Sequence, residues 1–565
     1  MKRRLLPILM TLVLVCALPI WAAFVTSGDV TNPLVCTAWA DTAEGERNSG
    51  TTQETFTEVT DETTLKTAVA DGKSVRMTRD ITLTSSLYIE KAVTLDMDGH
   101  MLTRMHTYEY DMVVIRSDAT LTLIDSNTGN LQHRFNAGET GWTKAADNAT
   151  GDGIVTVTGG VIYGDAGSSI INPCGIKILK GKLEMYGGSI VGIRNVYNAN
   201  GGGVYVSDQC TFNMYGGSIK GCYVFSDGGG VYVAAGGTFT MSGSSAITNC
   251  KGSRGGAVYN AGTFTMRDNS HIADCIYNSS IASGGGVHNK GIFTVEGGSI
   301  TGSVNDHNRE QSSDDICNEN KLDVSEGITI SCNVNVGYGG TISKGTFTGR
   351  VWIFWEGTIL GGTFTNEVIN YEGTIKAGEF TGEVTNTSGG TISGGTFDKN
   401  VANESGATIS GGTFNENVTN KTNATLNGGI FYGGVTNDGG KIEDGAYETV
   451  KFNSNNGAQA KEEKVLRGQK VAKPTDDPTK SGYTFIGWED ADGAYDFSKS
   501  VTAPLTLTAK WEKKPSSGYY YYPTTDTKTD DTKGSPKTAD PGVALYAALS
   551  ILSLTGMVAL NGKKR

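Results

Sequence analysis

Three apolar columns recur along the C-terminal half of the chain, and they restrict its fold more than any other feature of the sequence. Between residues 341 and 447 an isoleucine or leucine, an aromatic residue and a valine each return every 16 or 17 residues. Alternating apolar positions at so short a period predict the stacked coils of a narrow β-solenoid over 338–449. Asparagines two residues after each of the last five valines predict a hydrogen-bonded ladder of side-chain amides. They are Asn370, Asn386, Asn403, Asn420 and Asn437.

A longer repeat precedes this block and predicts wider coils over 174–337. One column of this repeat is a leucine followed by four aromatic residues, spaced 29, 27, 25 and 29 residues apart. It consists of Leu183, Phe212, Phe239, Phe264 and Phe293. Each coil buries its apolar face against its neighbours, so both blocks are expected to form one rod. Residues 304–337 are expected to break the register as a long exposed loop or junction.

Three cysteines share one position of the long repeat, at Cys222, Cys250 and Cys275. One interpretation is a column of small buried thiols that pack as apolar side chains. The other is a disulfide between neighbouring coils, because strands about 4.8 Å apart are close enough for one.

The N-terminal part of the body, 61–173, combines a helical segment with short alternating strands. Leu65, Ala68 and Val69 lie on one side of a helix over 62–70, and apolar alternation begins at Ile81. The order resembles the cap and first coils of a pectin-lyase-like parallel β-helix. The segment VTLDMDGHML, 93–102, resembles an early coil of that superfamily.

A third module occupies 450–512. GYTFIGW at 482–488 and LTLTAKW at 505–511 resemble the internalin-type B repeat, also called the Listeria–Bacteroides repeat. The resemblance implies a small β-grasp-like domain of extracellular bacterial proteins. A polar stalk rich in Thr, Asp, Lys and Ser follows over 513–534.

The N-terminus has the layout of a secretory signal peptide. Three basic residues, 2–4, precede an apolar run from 5 to 21, and Ala38 and Ala40 supply the small residues that a cleavage site requires. We therefore predict a signal peptide over 1–40 and a linker over 41–60, and we expect the protein to be secreted.

The C-terminal segment 535–565 resembles the cell-wall sorting signal of Gram-positive bacteria. A short motif precedes an apolar stretch at 541–560, long enough to span a bilayer, and a basic tail. The resemblance implies that a sortase cuts after Thr538 and joins the chain to peptidoglycan, with the membrane contacted only transiently. A plain membrane anchor is the alternative. The motif residues are Ser535, Pro536, Lys537, Thr538 and Ala539.

Charge and motif content argue against several functions. The net charge of −12 disfavours nucleic acid as a partner. Asp96, Asp98 and His100 are the most conspicuous polar cluster, and the alternation places both aspartates on the outer face. The full acidic and basic set of a polygalacturonase is not assembled, so we expect no catalytic residues. The six histidines are scattered without ligand spacing, so we expect neither a metal nor another cofactor.

Two aromatic features are candidates for a binding face. Tyr205, Tyr232, Tyr259 and His288 each follow an inward valine and therefore form a column on the outer face. Such a column binds sugar rings or a partner protein, or else its rings only stack on each other and stabilise the sheet. The second feature is the apolar stretch from Trp352 to Trp355, which is either a contact patch or a plug between the two solenoid blocks.

Together these patterns predict an all-β protein, a parallel β-helix with coils of about 27 and then about 17 residues followed by a small β-grasp-like domain. The predicted function is a wall-anchored adhesin or carbohydrate-binding surface protein, with a host glycan, mucin or matrix protein as ligand. A wall-bound polysaccharide lyase or glycoside hydrolase is the alternative, and a passive spacer is a third possibility.

Overall fold

The computed structural model describes residues 55–515, apart from 106–109, 128, 130, 139, 165–173, 196–199, 279–282 and 306–314. The predicted signal peptide 1–40, most of the stalk and the sorting signal 535–565 lie outside the described residues. Within them the chain is almost entirely β, and long parallel sheets stack into a solenoid, which confirms the predicted fold class.

Two sheets run the length of the described solenoid, and we call them sheets I and II. Sheet I carries the valine column and has 15 strands in the described part of the chain. Its strands are Leu87–Ile89, Val113–Ile115, Ile176–Ile178, Val204–Val206, Val231–Val233, Val258–Asn260, Val287–Asn289, Ile316–Asn318, Val334–Val336, Val351–Ile353, Val368–Tyr371, Val384–Thr387, Val401–Asn403, Val418–Lys421 and Val435–Asp438.

Sheet II follows sheet I in every coil from Leu87 onward and contains 17 described strands, the first two of which precede sheet I. They are Thr57–Val59, Val75–Met77, Val93–Asp96, Ala119–Ile124, Gly181–Met185, Thr211–Met214, Thr238–Met241, Thr263–Met266, Ile292–Val295, Lys321–Val324, Thr341–Ile342, Thr358–Ile359, Thr374–Ile375, Thr391–Ile392, Thr408–Ile409, Thr425–Leu426 and Lys441–Ile442. Phe293, Leu322 and Ile342 are register partners, so the long-repeat aromatic column continues as the isoleucine column of the short repeat.

The wide coils complete their circuit through sheets III and IV. The strands of sheet III are Ile81–Leu83, Met101–Arg104, Val161–Tyr163, Ser189–Val191, Ser218–Lys220, Ala246–Thr248, His271–Ala273 and Ser299–Thr301. The strands of sheet IV are Arg194–Asn195, Tyr223–Val224, Lys251–Gly252, Ile276–Tyr277 and Val304–Asn305. The interior is mostly apolar and contains a stack of phenylalanines whose ring centroids lie 4.7, 4.9 and 4.8 Å apart.

The narrow coils replace both of these sheets by one, sheet V. Its strands are Thr329–Ile330, Thr346–Phe347, Thr363–Phe364, Glu379–Phe380, Thr396–Phe397, Thr413–Phe414 and Ile430–Phe431. Six stacked phenylalanine rings fill the core here, at centroid distances of 4.7 to 5.2 Å. The turn before each ring needs glycine: Gly395 has φ +105°, and a Cβ there would lie 3.1 Å from the Phe380 ring.

The predicted register break over 304–337 is wrong for its described part. Ile316 pairs with Val287 on one side and with Val334 on the other, so the inward column of sheet I continues without interruption. Residues 315–337 form the first narrow coil, because the chain passes from sheet II directly to sheet V. The coil shortens there, and the aromatic spacing changes although the strand pairing does not.

Both ends of the solenoid core are covered. The helix Glu62–Asp71 buries Leu65, Ala68 and Val69 at the N-terminal end, as the sequence predicts. An insertion covers part of sheet III, where Trp142 packs on Gly221, at which a Cβ would lie 2.2 Å from the indole. The strands of the insertion are Gln132–Asn136, Thr143–Lys144 and Ile154–Thr158.

The C-terminal module closes the other end. A 3₁₀ turn, Asp444–Ala446, leads into a mixed sheet with the strands Tyr447–Asn453, Lys461–Leu466, Tyr483–Asp490, Gly493–Ala494 and Leu505–Lys513. Phe431 N donates to Arg467 O at 2.8 Å, and the Gln469 side chain donates to Phe431 O. Gly468, with φ +94°, makes this approach possible, because a Cβ there would lie 2.7 Å from Phe431 N. The contact pairs backbone that an open coil end would leave unsatisfied.

Candidate functional site: the outer face of sheet I

The two aromatic features of the sequence lie in one column on the outside of sheet I. Strand register places these positions one above another along the solenoid, coil by coil. The column is Lys177, Tyr205, Tyr232, Tyr259, His288, Cys317, Asn335 and Trp352. Aromatic, thiol and amide side chains therefore meet on one surface although they are far apart in sequence.

The rings of the tyrosine column stack on each other. Tyr205, Tyr232, Tyr259 and His288 have successive centroid distances of 5.1, 5.0 and 5.2 Å, with interplanar angles of 14°, 1° and 8°. Tyr259 is 6% and His288 1% exposed, so the expectation of an exposed column is wrong for these two residues. The ring faces are occupied by neighbouring rings, as in the stacking interpretation, and little area is left for a sugar.

A different set of rings is exposed where the sheet I strands end and in the turns that follow them. Tyr338, Trp355 and Tyr371 are 52%, 43% and 39% exposed, and Phe354 is half-buried between them. Trp355 lies 4.8 Å from Tyr338 and 5.8 Å from Phe354, centroid to centroid. Phe354 lies 6.2 Å from Tyr371. We call these four residues the aromatic patch.

The apolar stretch 352–355 divides between the core and the surface. Ile353 points inward and takes the position that asparagine occupies in the coils below it. Trp352 is half-buried under the guanidinium of Arg350, 5.3 Å from the ring centroid. Trp355 is the most exposed of the three, with φ +35°. The stretch thus contributes one core residue, Ile353, and one exposed ring, Trp355.

A polar cluster adjoins the tyrosine column, and we call it the His–Cys–Glu cluster. One nitrogen of His288, the sulfur of Cys317 and a carboxylate oxygen of Glu319 all lie within 4.8 Å of one another. His288 Nε2 is 3.2 Å from Glu319 Oε1, and Lys290 Nζ is 2.9 Å from Glu319 Oε2. Burial raises the pKa of Glu319, but His288 and Lys290 outweigh it and hold that pKa at about 2.

Sequence reasoning did not identify this cluster. His288 and Cys317 lie on successive coils and are 29 residues apart in sequence. Sequence motifs for metal ligands usually place the ligands a few residues apart, so such motifs do not detect this pair. The shared position in the sheet I column is the signal that would have revealed it.

The acidic residues of the first coils have structural partners. The sheet II strand ends at Asp96, so Asp98 lies in the following turn with φ +45° and does not share an exposed strand face with Asp96, contrary to expectation. Asp96 is fully buried, 2.8 Å from Arg76 Nε, and accepts from the Ser126 backbone at 2.9 Å. His100 lies 3.5 Å from Asp80.

The three cysteines of the long repeat are buried thiols. Cys222, Cys250 and Cys275 are fully buried and form no disulfide. Burial is the main cause that raises the pKa of Cys222 and Cys275. These residues therefore pack as small apolar side chains, which is the first of the two interpretations offered by the sequence.

Comparison with known proteins identifies the C-terminal module. Residues 449–510 match the Listeria–Bacteroides repeat domain, as the sequence predicts, and that family is typical of surface proteins. Two proteins of Evansella cellulosilytica, named "Putative Gly-rich membrane protein" and "Putative membrane protein", are each 40% identical over 68 residues. The match covers 11% of this chain and only 8% and 10% of those proteins. No solved structure gives a significant match.

The membrane segment predicted at 541–560 lies outside the described residues. In the part of the chain that is described, no helix is long and apolar enough to cross a membrane.

Proposed function

We propose that the chain is a secreted surface protein, anchored to peptidoglycan through 535–565, that binds carbohydrate of a host glycan, mucin or matrix protein as an adhesin. The observation that carries this proposal is the aromatic patch. Contiguous exposed rings on a soluble protein mark interaction surfaces. Tyr338, Trp355 and Tyr371 supply such rings from three successive coils.

The chemistry of the patch suits a sugar. Tryptophan and tyrosine rings offer an apolar face to the C–H side of a pyranose, and nearby acceptors bind its hydroxyl groups. Glu356 and Glu372 are exposed beside Trp355 and Tyr371 and provide those acceptors. The stacked tyrosine column contributes rigidity below the patch.

A binding role is favoured over a catalytic one by the state of the carboxylates. Glycoside hydrolysis needs two carboxyl groups that flank one bond. Asp96 is occupied by Arg76 and backbone N–H groups, and Asp125 accepts from Gly99 N and Gly160 N, both at 2.7 Å. These contacts give both carboxylates structural partners, which supports a binding role over a catalytic one.

The experiment is an array of host glycans, mucins, matrix proteins and plant polysaccharides probed with the purified full-length protein, with the wash analysed for released sugars. We expect the protein to be retained, and we expect Trp355→Ala to reduce its affinity about tenfold. A stacked aromatic contact is worth up to about 1.5 kcal/mol beyond the area that it buries, and about 1.4 kcal/mol corresponds to a factor of ten. The control is Tyr432→Ala, which removes an equally exposed ring (48%) at the far end of the solenoid. Unchanged retention of Trp355→Ala would refute the aromatic patch as the carbohydrate-binding site. Sugars released into the wash would favour a lyase or hydrolase. A blank array would favour the spacer.

Anchoring is tested separately in a Gram-positive host. The wild-type chain should be released from cells by a muramidase. Thr538→Ala should instead remain with the membrane fraction, because the bond that the sortase cuts follows Thr538. Equal release of both proteins would refute wall attachment at this site.

A further inference from the structure

The His–Cys–Glu cluster links two coils at the point where the solenoid narrows. His288 belongs to the last wide coil, and Cys317 and Glu319 belong to the first narrow coil, which follows it along the chain. We propose that this cluster binds one zinc-like divalent ion through His288 Nε2, Cys317 Sγ and Glu319 Oε1. The inference is independent of the carbohydrate-binding proposal.

The donor set suits such an ion. Imidazole, thiolate and carboxylate are the three protein ligands of zinc, at about 2.0–2.3 Å from the metal, which sets tetrahedral donor separations of about 3.3–3.6 Å. Nε2 and Oε1 are already 3.2 Å apart, and one donor atom from each of the three residues lies within 4.8 Å of the other two. Side-chain movements of about 1 Å complete the geometry. The fourth position is left for water.

The surroundings also indicate a missing partner. His288 is 99% buried, and within the described residues its Nδ1 has no hydrogen-bond partner, while Nε2 faces the carboxylate of Glu319. Asn335 follows Cys317 in the column, and its buried Oδ1 likewise has none. Buried polar atoms without partners are costly, and a bound ion is one explanation for them.

Neighbouring side chains hold the ligands in place. The Tyr259 ring stacks on the imidazole at 8° and fixes its plane. Lys290 binds the second carboxylate oxygen of Glu319, so Oε1 remains directed at His288. Contacts of this kind orient metal ligands. Glu319 keeps 11% of its side-chain surface exposed, which gives the ion a path from solvent.

Binding of the ion exchanges one proton for bonds to the metal and involves no change of oxidation state. Cys317 releases its thiol proton to solvent, the thiolate and the Nε2 lone pair bond to the ion, and no oxidant or reductant is required. The ion would clamp the last wide coil to the first narrow coil and stabilise the transition between them.

The test uses the reduced, metal-free full-length protein and Co²⁺ as a spectroscopic probe for the zinc site. We expect one Co²⁺ per chain, a thiolate-to-cobalt charge-transfer band in the near ultraviolet, and loss of both on addition of Zn²⁺. Cys317→Ser should abolish the charge-transfer band. Glu319→Gln, which keeps the side-chain shape, should weaken Co²⁺ binding at least about tenfold.

Cys332→Ser is the matched control, because Cys332 is another buried thiol, in the same narrow coil. It should bind Co²⁺ like the wild type. The proposal is overturned if the wild type shows no thiolate band, or if the band persists in Cys317→Ser. If that variant does not fold, Glu319→Gln decides, and unchanged affinity in it overturns the proposal.

Discussion

Replacing an asparagine in the middle of the amide ladder should destabilise the solenoid by an amount that the contacts define. Asn403 is fully buried and donates to Asn420 Oδ1 at 2.9 Å and to Thr425 O at 3.2 Å. It also accepts from Asn386 Nδ2 at 2.9 Å. Asn403→Ala removes three hydrogen bonds of about 1 kcal/mol each, so we expect a loss of about 3 kcal/mol in the free energy of unfolding.

The assay is urea unfolding of the full-length protein followed by circular dichroism. Asn437→Ala is the control: it ends the same ladder but is exposed, so water replaces its bonds and we expect a loss below about 1 kcal/mol. The double variant of Asn403 and Asn420 should cost less than the sum of the single variants, because their shared bond is lost only once. Equal losses for Asn403→Ala and Asn437→Ala would refute the ladder as a source of stability.

Three further outcomes are expected. Phe397→Ala, which removes a buried ring 4.7 and 4.8 Å from its neighbours, should cost about 3–5 kcal/mol in urea unfolding; a loss below about 1 kcal/mol would contradict this. Burial raises the pKa of Glu62, but hydrogen bonds with Lys66 and Thr84 outweigh it and lower that pKa from 4.5 to about 2. Glu62 therefore stabilises the fold above pH 4.5 and loses that effect as the pH falls to 2. The melting temperatures of Glu62→Gln and wild type should therefore differ at pH 7 and converge near pH 2. Cys222, Cys250 and Cys275 should resist alkylation until urea unfolds the chain, as peptide mapping would reveal.

The regular part of the fold was predictable from the sequence because one residue type fills each column. The period of Phe347 and its successors fixes both the coil length and the inward face. The cap helix was predictable for the same reason, since Leu65, Ala68 and Val69 fall on one side at helical spacing.

The alignment between the wide and the narrow coils was not predictable from the sequence, because the coils differ in length. The pairing of Leu322 with Ile342 joins the aromatic column of one block to the isoleucine column of the other, and no period spans that change. Because the coil length changes after His288, the sequence period also does not predict that Cys317 lies next to it. Exposure was also misjudged at Tyr259, because the alternation gives the side of a strand but not what covers it.

The unequal coils have a mechanical consequence. Hydrogen bonds between coils run along the solenoid axis, so tension applied to the two ends of the chain loads successive coils in series. A narrow coil such as 351–367 is held by three short strands, whereas a wide coil such as 204–230 has four. The narrow section should therefore yield first. Each 17-residue coil that opens lengthens the protein by about 53 Å, since about 58 Å of extended chain replaces a rise of about 4.8 Å.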